Sequence, residues 1–316
     1  MPKHCTLKIF MKKLLLITIL FILTFGESFA QMAEKHKTYF FAEKDGHQLM
    51  MDEYLQKGDN KGTIIFVLGG GFKAGKRETR TYKRWFYQLN ENGYRVYSID
   101  YRLGLKDARK SGLGMVRETR EAIAMGVEDL FSATHYILEN ADELGVDPKR
   151  IIVAGSSAGA IIALDADWAI CNDKKIATDI LPAGFRYAAI MPFSGAILSC
   201  EGAPRYAHEP APTCFFHGTA DKVVNYGHIH FFRIGLFGGK YLARHFHRKG
   251  YNYSIYRYKG NGHEIATEFL ATLPEQLGFL ETNVLKGQKR IVDAVVNDPQ
   301  IKKGRSYKNR KALYKD

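Results

Sequence analysis

The chain has 316 residues, 46% of them hydrophobic, and carries 46 Lys and Arg against 33 Asp and Glu, a formal charge of +13. That length and apolar content suit one large core, and the lack of any Pro-, Gly- or Ser-rich linker, internal repeat or low-complexity stretch argues against a repeat array or several linked domains. The charge sits mainly at one end, since residues 286–316 hold ten Lys or Arg against three Asp, so the body from 31 to 285 is only about +3 and is not marked as a nucleic-acid binder.

At the N-terminus, Lys12 and Lys13 precede a twelve-residue apolar run from Leu14 to Phe25, and Ser28-Phe29-Ala30 stands before Gln31. This is the pattern of a secretory signal peptide over residues 1–30, with a small-residue cleavage site. A spanning helix needs about 20 apolar residues, so no stable membrane insertion is expected after cleavage, and the mature protein is expected to be secreted or periplasmic. No Cys follows the cleavage point to take a lipid anchor.

Apolar runs and helical patterns then alternate. A strand at 63–68 leads into Gly69-Gly70-Gly71-Phe72, and a helix over 81–92 precedes a strand at 95–99 that ends in Asp100-Tyr101-Arg102-Leu103. A helix over 116–144 comes before the strand Arg150-Ile151-Ile152-Val153-Ala154, the turn Gly155-Ser156-Ser157-Ala158-Gly159 and a helix from 160 to 168. Further strands follow at 187–193 and 253–258, residues 213–221 read as a strand ending in a turn, and residues 264–285 read as a terminal helix. Such alternation predicts an α/β fold, a mostly parallel central sheet with helices on both faces. Residues 31–285 form the expected catalytic domain and 286–316 a solvated basic tail, with electrostatic contact to anionic surfaces as its alternative role.

The segment 155–159 is the G-x-S-x-G nucleophile elbow in strand-turn-helix context, which makes Ser157 the expected nucleophile. A serine hydroxyl needs a base to take its proton and fixed donors for the oxyanion. His263, on the loop Gly260-Asn261-Gly262-His263-Glu264, supplies the base, while Glu264 reads as a first-turn acid at a helix N-terminus. Asp221, in the turn that ends the stretch 213–221, is the acid, with Asp147 as its chief rival; Asp147 precedes Pro148 and reads as a turn residue. Gly70 and Gly71 supply oxyanion donors, with the Ala158 amide as a third and the Phe72 amide as a substitute. The order Ser157, Asp221, His263 is that of the α/β hydrolases.

Together these residues resemble the α/β-hydrolase superfamily, in particular the carboxylesterase and hormone-sensitive-lipase-like esterases. Their loop reads H-G-G-G-[FW] and their acid motif H-G-x-x-D-x-x-V, matched here by Gly69 to Phe72 and by His217-Gly218-Thr219-Ala220-Asp221-Lys222-Val223-Val224. Asp100 to Leu103 matches their D-Y-R-L segment, and the resemblance covers about residues 38 to 285. Leu68 stands where the family carries its loop histidine, a residue that supports the loop. The resemblance implies a serine carboxylesterase working through an acyl-enzyme without a cofactor, on short-chain or carbohydrate-linked acyl esters. A serine exopeptidase of the same superfamily and a non-catalytic binding protein on this scaffold stay open as alternatives.

Other side chains receive plainer readings. His217 is a buried, hydrogen-bonded residue at a strand end, and Ser156 serves packing. The pairs His228/His230 and His245/His247 are set aside as metal ligands, because residues two apart on a helix point to different faces. Residues 226–235 either line the pocket, with aromatics that stack on a sugar or aroyl group, or form a helix packed into the core. Cys214 is expected to be a buried thiol, and a bridge between Cys171 and Cys200 is left open.

Overall fold

The structure, a computed structural model, describes residues 36–108 and 111–304. The expected signal peptide and the last twelve residues of the basic tail lie outside the described residues. The chain divides into two units, Met1–Lys37 and Thr38–Asp316, of which the second carries the fold. Among the described residues no helix is long and apolar enough to cross a membrane.

Nine strands form the central sheet: β1 (Lys37–Lys44), β2 (His47–Tyr54), β3 (Gly62–Val67), β4 (Tyr94–Ile99), β5 (Ile151–Ser156), β6 (Ala189–Phe193), β8 (Thr213–Gly218), β11 (Tyr253–Tyr258) and β12 (Val292–Val296). Their order is β1-β2-β4-β3-β5-β6-β8-β11-β12. From β4 to β12 every pairing is parallel, whereas β2 runs antiparallel to β4. Strands β3 to β6 and β8 are buried along their whole length, as expected of a sheet covered on both faces. This is the predicted architecture. Strands β1 and β2 extend it in a hairpin whose turn, Asp45-Gly46, takes the two positive φ angles a tight connection requires.

The main helices are α1 (Arg80–Glu91), α2 (Gly112–Glu139), α3 (Ala158–Cys171), α4 (Gly239–Lys249) and α5 (Leu273–Phe279). Thr79 caps α1 by accepting the Tyr82 amide, and the helix buries Tyr82, Trp85, Phe86 and Leu89. Trp85 stacks on Phe269 with centroids 4.5 Å apart, and its indole N–H donates to Gln276 Oε1 at 2.8 Å, so the C-terminal segment is pinned to one face of the sheet. Helices α2 and α3 approach closely: a Cβ on Gly126 would lie 2.4 Å from Ile162 Cδ1.

Three expectations need correction. The single helix over 264–285 resolves into a 3-10 turn (His263–Thr267), α5 and a π-helical turn (Leu280–Leu285), because Pro274 has no N–H to donate and sits at the start of α5. Residues 226–235 are neither helix nor core: β9 (His228–Phe231) and β10 (Ile234–Gly238) join β7 (Ala196–Ser199) in a small antiparallel sheet of order β7-β10-β9. On a strand, residues two apart share a face, so the His228 and His230 rings stack with centroids 5.2 Å apart, contrary to the helical argument. Finally, the domain does not stop at 285. β12 pairs in register with β11 and Ile301 is buried, so residues read as tail are an edge of the sheet and part of its core.

Candidate active site

Parallel strands bring their C-terminal ends to one edge of the sheet. Val67 pairs with Gly155, Ser156 with Phe193, Phe193 with Phe216, and Gly218 with Tyr258, so the loops after β3, β5, β6, β8 and β11 emerge side by side. Ligand sites in such sheets lie at that edge, and the expected residues are in those loops.

Ser157 occupies the turn between β5 and α3 at φ 50°, ψ −109°, a conformation that L-residues rarely adopt. The neighbouring glycines are dictated by contact. A Cβ on Gly155 would fall 2.3 Å from Gly159 O, and one on Gly159 would fall 2.0 Å from Val67 O. The Ser157 amide donates to Phe193 O at 2.9 Å, which anchors the turn on the next strand. Ser156, assigned only a packing role above, does more: its hydroxyl donates to Ala266 O at 2.7 Å and joins the elbow to the segment after His263.

The structure brings Ser157, His263 and Asp221 into one hydrogen-bonded chain. Ser157 Oγ lies 2.7 Å from His263 Nε2, and His263 Nδ1 lies 2.7 Å from Asp221 Oδ2. All three residues are buried, with only 3–5% of their surface exposed. With Nδ1 protonated and donating to the carboxylate, Nε2 is left to accept the serine proton. The rival Asp147 instead caps the turn Pro148–Arg150, accepting the Lys149 amide at 2.9 Å.

Asp221 is held on every side. Its Oδ1 accepts the amides of Val223 and Val224 at 2.8 and 3.1 Å, and His217 Nε2 stands 3.5 Å from Oδ2 while bonding Val224 O at 3.0 Å. Burial by itself pushes this carboxyl up, yet the hydrogen bonds from His217 and His263 outweigh it and hold Asp221 well below the usual carboxylate range. It is therefore an anion at neutral pH. His217 is buried and hydrogen-bonded as expected, but its contact with Asp221 was not legible in the sequence. A Cβ on Gly218 would lie 2.3 Å from Gly262 O, so the strand carrying the acid packs backbone to backbone against the loop carrying the base.

The glycine loop begins beside the elbow, since the Cβ that Gly159 lacks would also come within 2.7 Å of Leu68 O. Gly70 has φ 130°, and a Cβ there would lie 1.6 Å from Ala74 O, so the turn admits only glycine. Gly70 O accepts the amides of Lys73 and Ala74 at 3.2 and 3.3 Å, and Tyr82 Oη accepts the Gly69 amide at 3.2 Å. Gly71 and Phe72 continue with φ 65° and 62°. Leu68, in place of the family's histidine, supports the loop by packing: a Cβ on Gly75 would lie 2.3 Å from Leu68 Cδ1. Ala158 opens α3, so its N–H has no carbonyl one turn earlier to bond. Of the D-Y-R-L segment, Tyr101 packs on Phe72 and Arg102 pairs with buried Asp129 on α2, which makes the segment a brace and not a reacting group.

Cys171, Cys200 and Cys214 are free thiols. A separate cavity of about 240 Å³ opens between α2, α3 and β7, lined in part by Ile123, Val127, Asp165, Trp168 and Ile197; none of the three chained residues borders it.

The chain is similar to known proteins in part of its sequence and in its fold. The family BD-FAE matches residues 51–183, a stretch with the glycine loop and Ser157 but neither Asp221 nor His263. Carboxylesterase NlhH of Mycobacterium tuberculosis is 31% identical over 105 residues, and esterase E4 of Myzus persicae 32% over 103. Each alignment covers 33% of this chain, which spans only 28% and 17% of those relatives' lengths. Among solved structures, Thermogutta terrifontis esterase 2 phosphoramylated by tabun superimposes with a TM-score of 0.60 at 20% identity, covering 78% of this chain and 94% of the other. The propionate-bound form of that esterase superimposes with a TM-score of 0.59 over 79% and 94%. The chain therefore has the α/β-hydrolase fold and resembles the carboxylesterases.

Proposed function

We propose that this protein is a serine carboxylic-ester hydrolase. The observation that carries the proposal is the unbroken relay from Ser157 Oγ through both nitrogens of His263 to Asp221, each step 2.7 Å, with the serine on a strained elbow. His263 takes the Ser157 proton as the oxygen attacks the ester carbonyl, and the amides of Gly70, Gly71 and Ala158 receive the oxyanion. Collapse of the tetrahedral intermediate breaks the ester C–O bond and leaves an acyl-enzyme, with His263 returning its proton to the departing alcohol. Water, activated by the same imidazole, then releases the acid. Asp221, ionised throughout, fixes the tautomer and stabilises the imidazolium. No cofactor enters this sequence.

Short acyl chains, or acyl groups carried on a carbohydrate, are the proposed substrates. Structures of the Thermogutta esterase with propionate and with butyrate bound support the short-chain choice. The signal-peptide pattern of residues 1–30 supports export to the periplasm or medium.

The test is turnover of p-nitrophenyl acetate, butyrate and octanoate, of methyl ferulate and of acetylated xylan, beside a Ser157→Ala control. Wild type is expected to turn over the short esters, and the variant to lose about 10⁴-fold or more in kcat. Equal rates in the two proteins would sink the proposal.

A further inference from the structure

We propose that Glu264 is a positioning residue for His263, and that it works by fastening the histidine's loop to the C-terminal segment between Val296 and Gly304. This rests on the reading of His263 as general base. Glu264 is fully buried, and one of its oxygens, Oε1, gathers three N–H donors: the Gly262 amide at 2.8 Å, Asn261 Nδ2 at 3.2 Å and the Gly304 amide at 3.2 Å. Two of these come from the residues just before His263 and the third from forty residues later in the chain. The turn that Glu264 enters is a five-residue 3-10 segment, too short for an appreciable macrodipole, and the directed bonds to Oε1 tie this loop to Gly304.

The same segment touches the loop at two more points. Val296 O accepts the Lys259 amide at 2.8 Å, and Ile301 O lies 3.4 Å from Asn261 Nδ2, with the Ile301 side chain buried beneath. On the loop's opposite side, Asn261 O accepts the Ala220 amide at 2.8 Å and Thr219 Oγ1 accepts the Gly260 amide at 2.9 Å. His263 thus sits between two residues, Gly262 and Glu264, that are bound into one clamp, with the acid's loop on one side and the C-terminal segment on the other. Its ring must make two 2.7 Å contacts at once. A displacement of about 1 Å at such a centre costs on the order of 10²-fold in rate.

The experiment uses the full chain with Glu264→Ala, Glu264→Gln and Asn261→Ala, read by kcat and KM on p-nitrophenyl butyrate between pH 5 and 9, by circular dichroism, and by the low-field ¹H resonance of the His263 Nδ1 proton. In folded Glu264→Ala, kcat is expected to fall about 30- to 100-fold with KM within about twofold, and the Nδ1 resonance to broaden or vanish. Glu264→Gln keeps an acceptor oxygen and is expected to stay within about threefold of wild type. A folded Glu264→Ala with unchanged kcat, pH profile and Nδ1 resonance overturns the inference. If that variant does not fold, Asn261→Ala decides: a fall of about 5- to 10-fold in kcat with the same spectroscopic change supports the clamp, and wild-type behaviour overturns it. Should wild type itself lack Ser157-dependent turnover, the hydrolase reading fails separately, and the Nδ1 resonance alone decides whether Glu264 positions the imidazole.

Discussion

Around Ser157 the backbone is held chiefly by contact: a Cβ on Gly155 or Gly159 would collide with Gly159 O or Val67 O, and two hydrogen bonds, Ser157 N–H to Phe193 O and Ser156 Oγ to Ala266 O, add to that restraint. Around His263 the backbone is held by hydrogen bonds that arrive from Thr219 and Ala220 on one side and from Val296, Ile301 and Gly304 on the other. The nucleophile's geometry is therefore mainly steric, whereas that of the base rests mainly on hydrogen bonds assembled from distant parts of the chain. Damage to the backbone packing of the elbow should appear mainly as lost stability, and damage to the hydrogen bonds of the His263 loop mainly as lost rate.

Beyond the loss expected of Ser157→Ala, the largest effect is expected at the link between the two regions. Asp221→Asn replaces an anion with an amide that is able to stabilise the wrong imidazole tautomer, and kcat should drop by about 10³- to 10⁴-fold while the fold survives. Steady-state kinetics with a thermal melt would check both halves of that statement; a fall below tenfold would mean that the carboxylate is not the partner the proton relay needs.

Gly159→Ala tests the steric side. A methyl group 2.0 Å from Val67 O has to move backbone, and a loss of about 3 kcal/mol, seen as a melting temperature lower by about 10 °C, is expected. A melting temperature within 2 °C of wild type, measured by calorimetry, would show that the elbow relaxes freely and that the contrast with the His263 loop is false.

The smallest effect lies away from both sites and concerns pH. Asp167 on α3 is buried, and burial pushes its carboxyl up to about 7, opposed by the Ala211 amide, which it accepts at 3.3 Å. The folded state thus prefers the protonated acid, so the stability this group lends is whole below about pH 4, the unfolded value, and is lost as pH rises through about 7. Asp167→Asn should melt higher than wild type by about 4 °C at pH 8, and the gap should close toward pH 4. A gap that stays constant with pH would mean that Asp167 does not titrate in this window. Asp221 contributes with the opposite sign: its carboxyl is held low, so its stabilisation is present above the ordinary aspartate range and is lost only in stronger acid.

Much of the fold was legible because its signals are periodic. The runs at 63–68, 95–99, 150–154, 187–193 and 253–258, and the strand that opens 213–221, all became strands of the parallel sheet, since a strand covered on both faces is mostly apolar. Hairpin β1-β2 was missed because its burial is one-sided and partial. The stretch 226–235 was misjudged because aromatic residues suit a packed helix and a strand equally; here Phe231 and Phe232 are 74% and 84% exposed. The charges of residues 286–304 concealed a strand, because an edge strand half open to solvent tolerates Asp293 beside Val292 and Val295.

Of the site, the residue types were legible in local patterns and their order in the resemblance to the α/β hydrolases: a serine in a glycine-crowded turn, an aspartate after a strand, a histidine on a glycine-flanked loop and a run of glycines at a strand exit. Each is a short-range requirement, met within about five residues, and so it leaves a short motif. What holds these groups at 2.7 Å from one another is set by pairings that span tens to more than a hundred residues, among them Ser156 with Ala266, Ala220 with Asn261, and Glu264 with Gly304. Such hydrogen bonds have no period and no motif, because any donor brought close enough by the fold serves equally well, and only the packed sheet decides which donors those are.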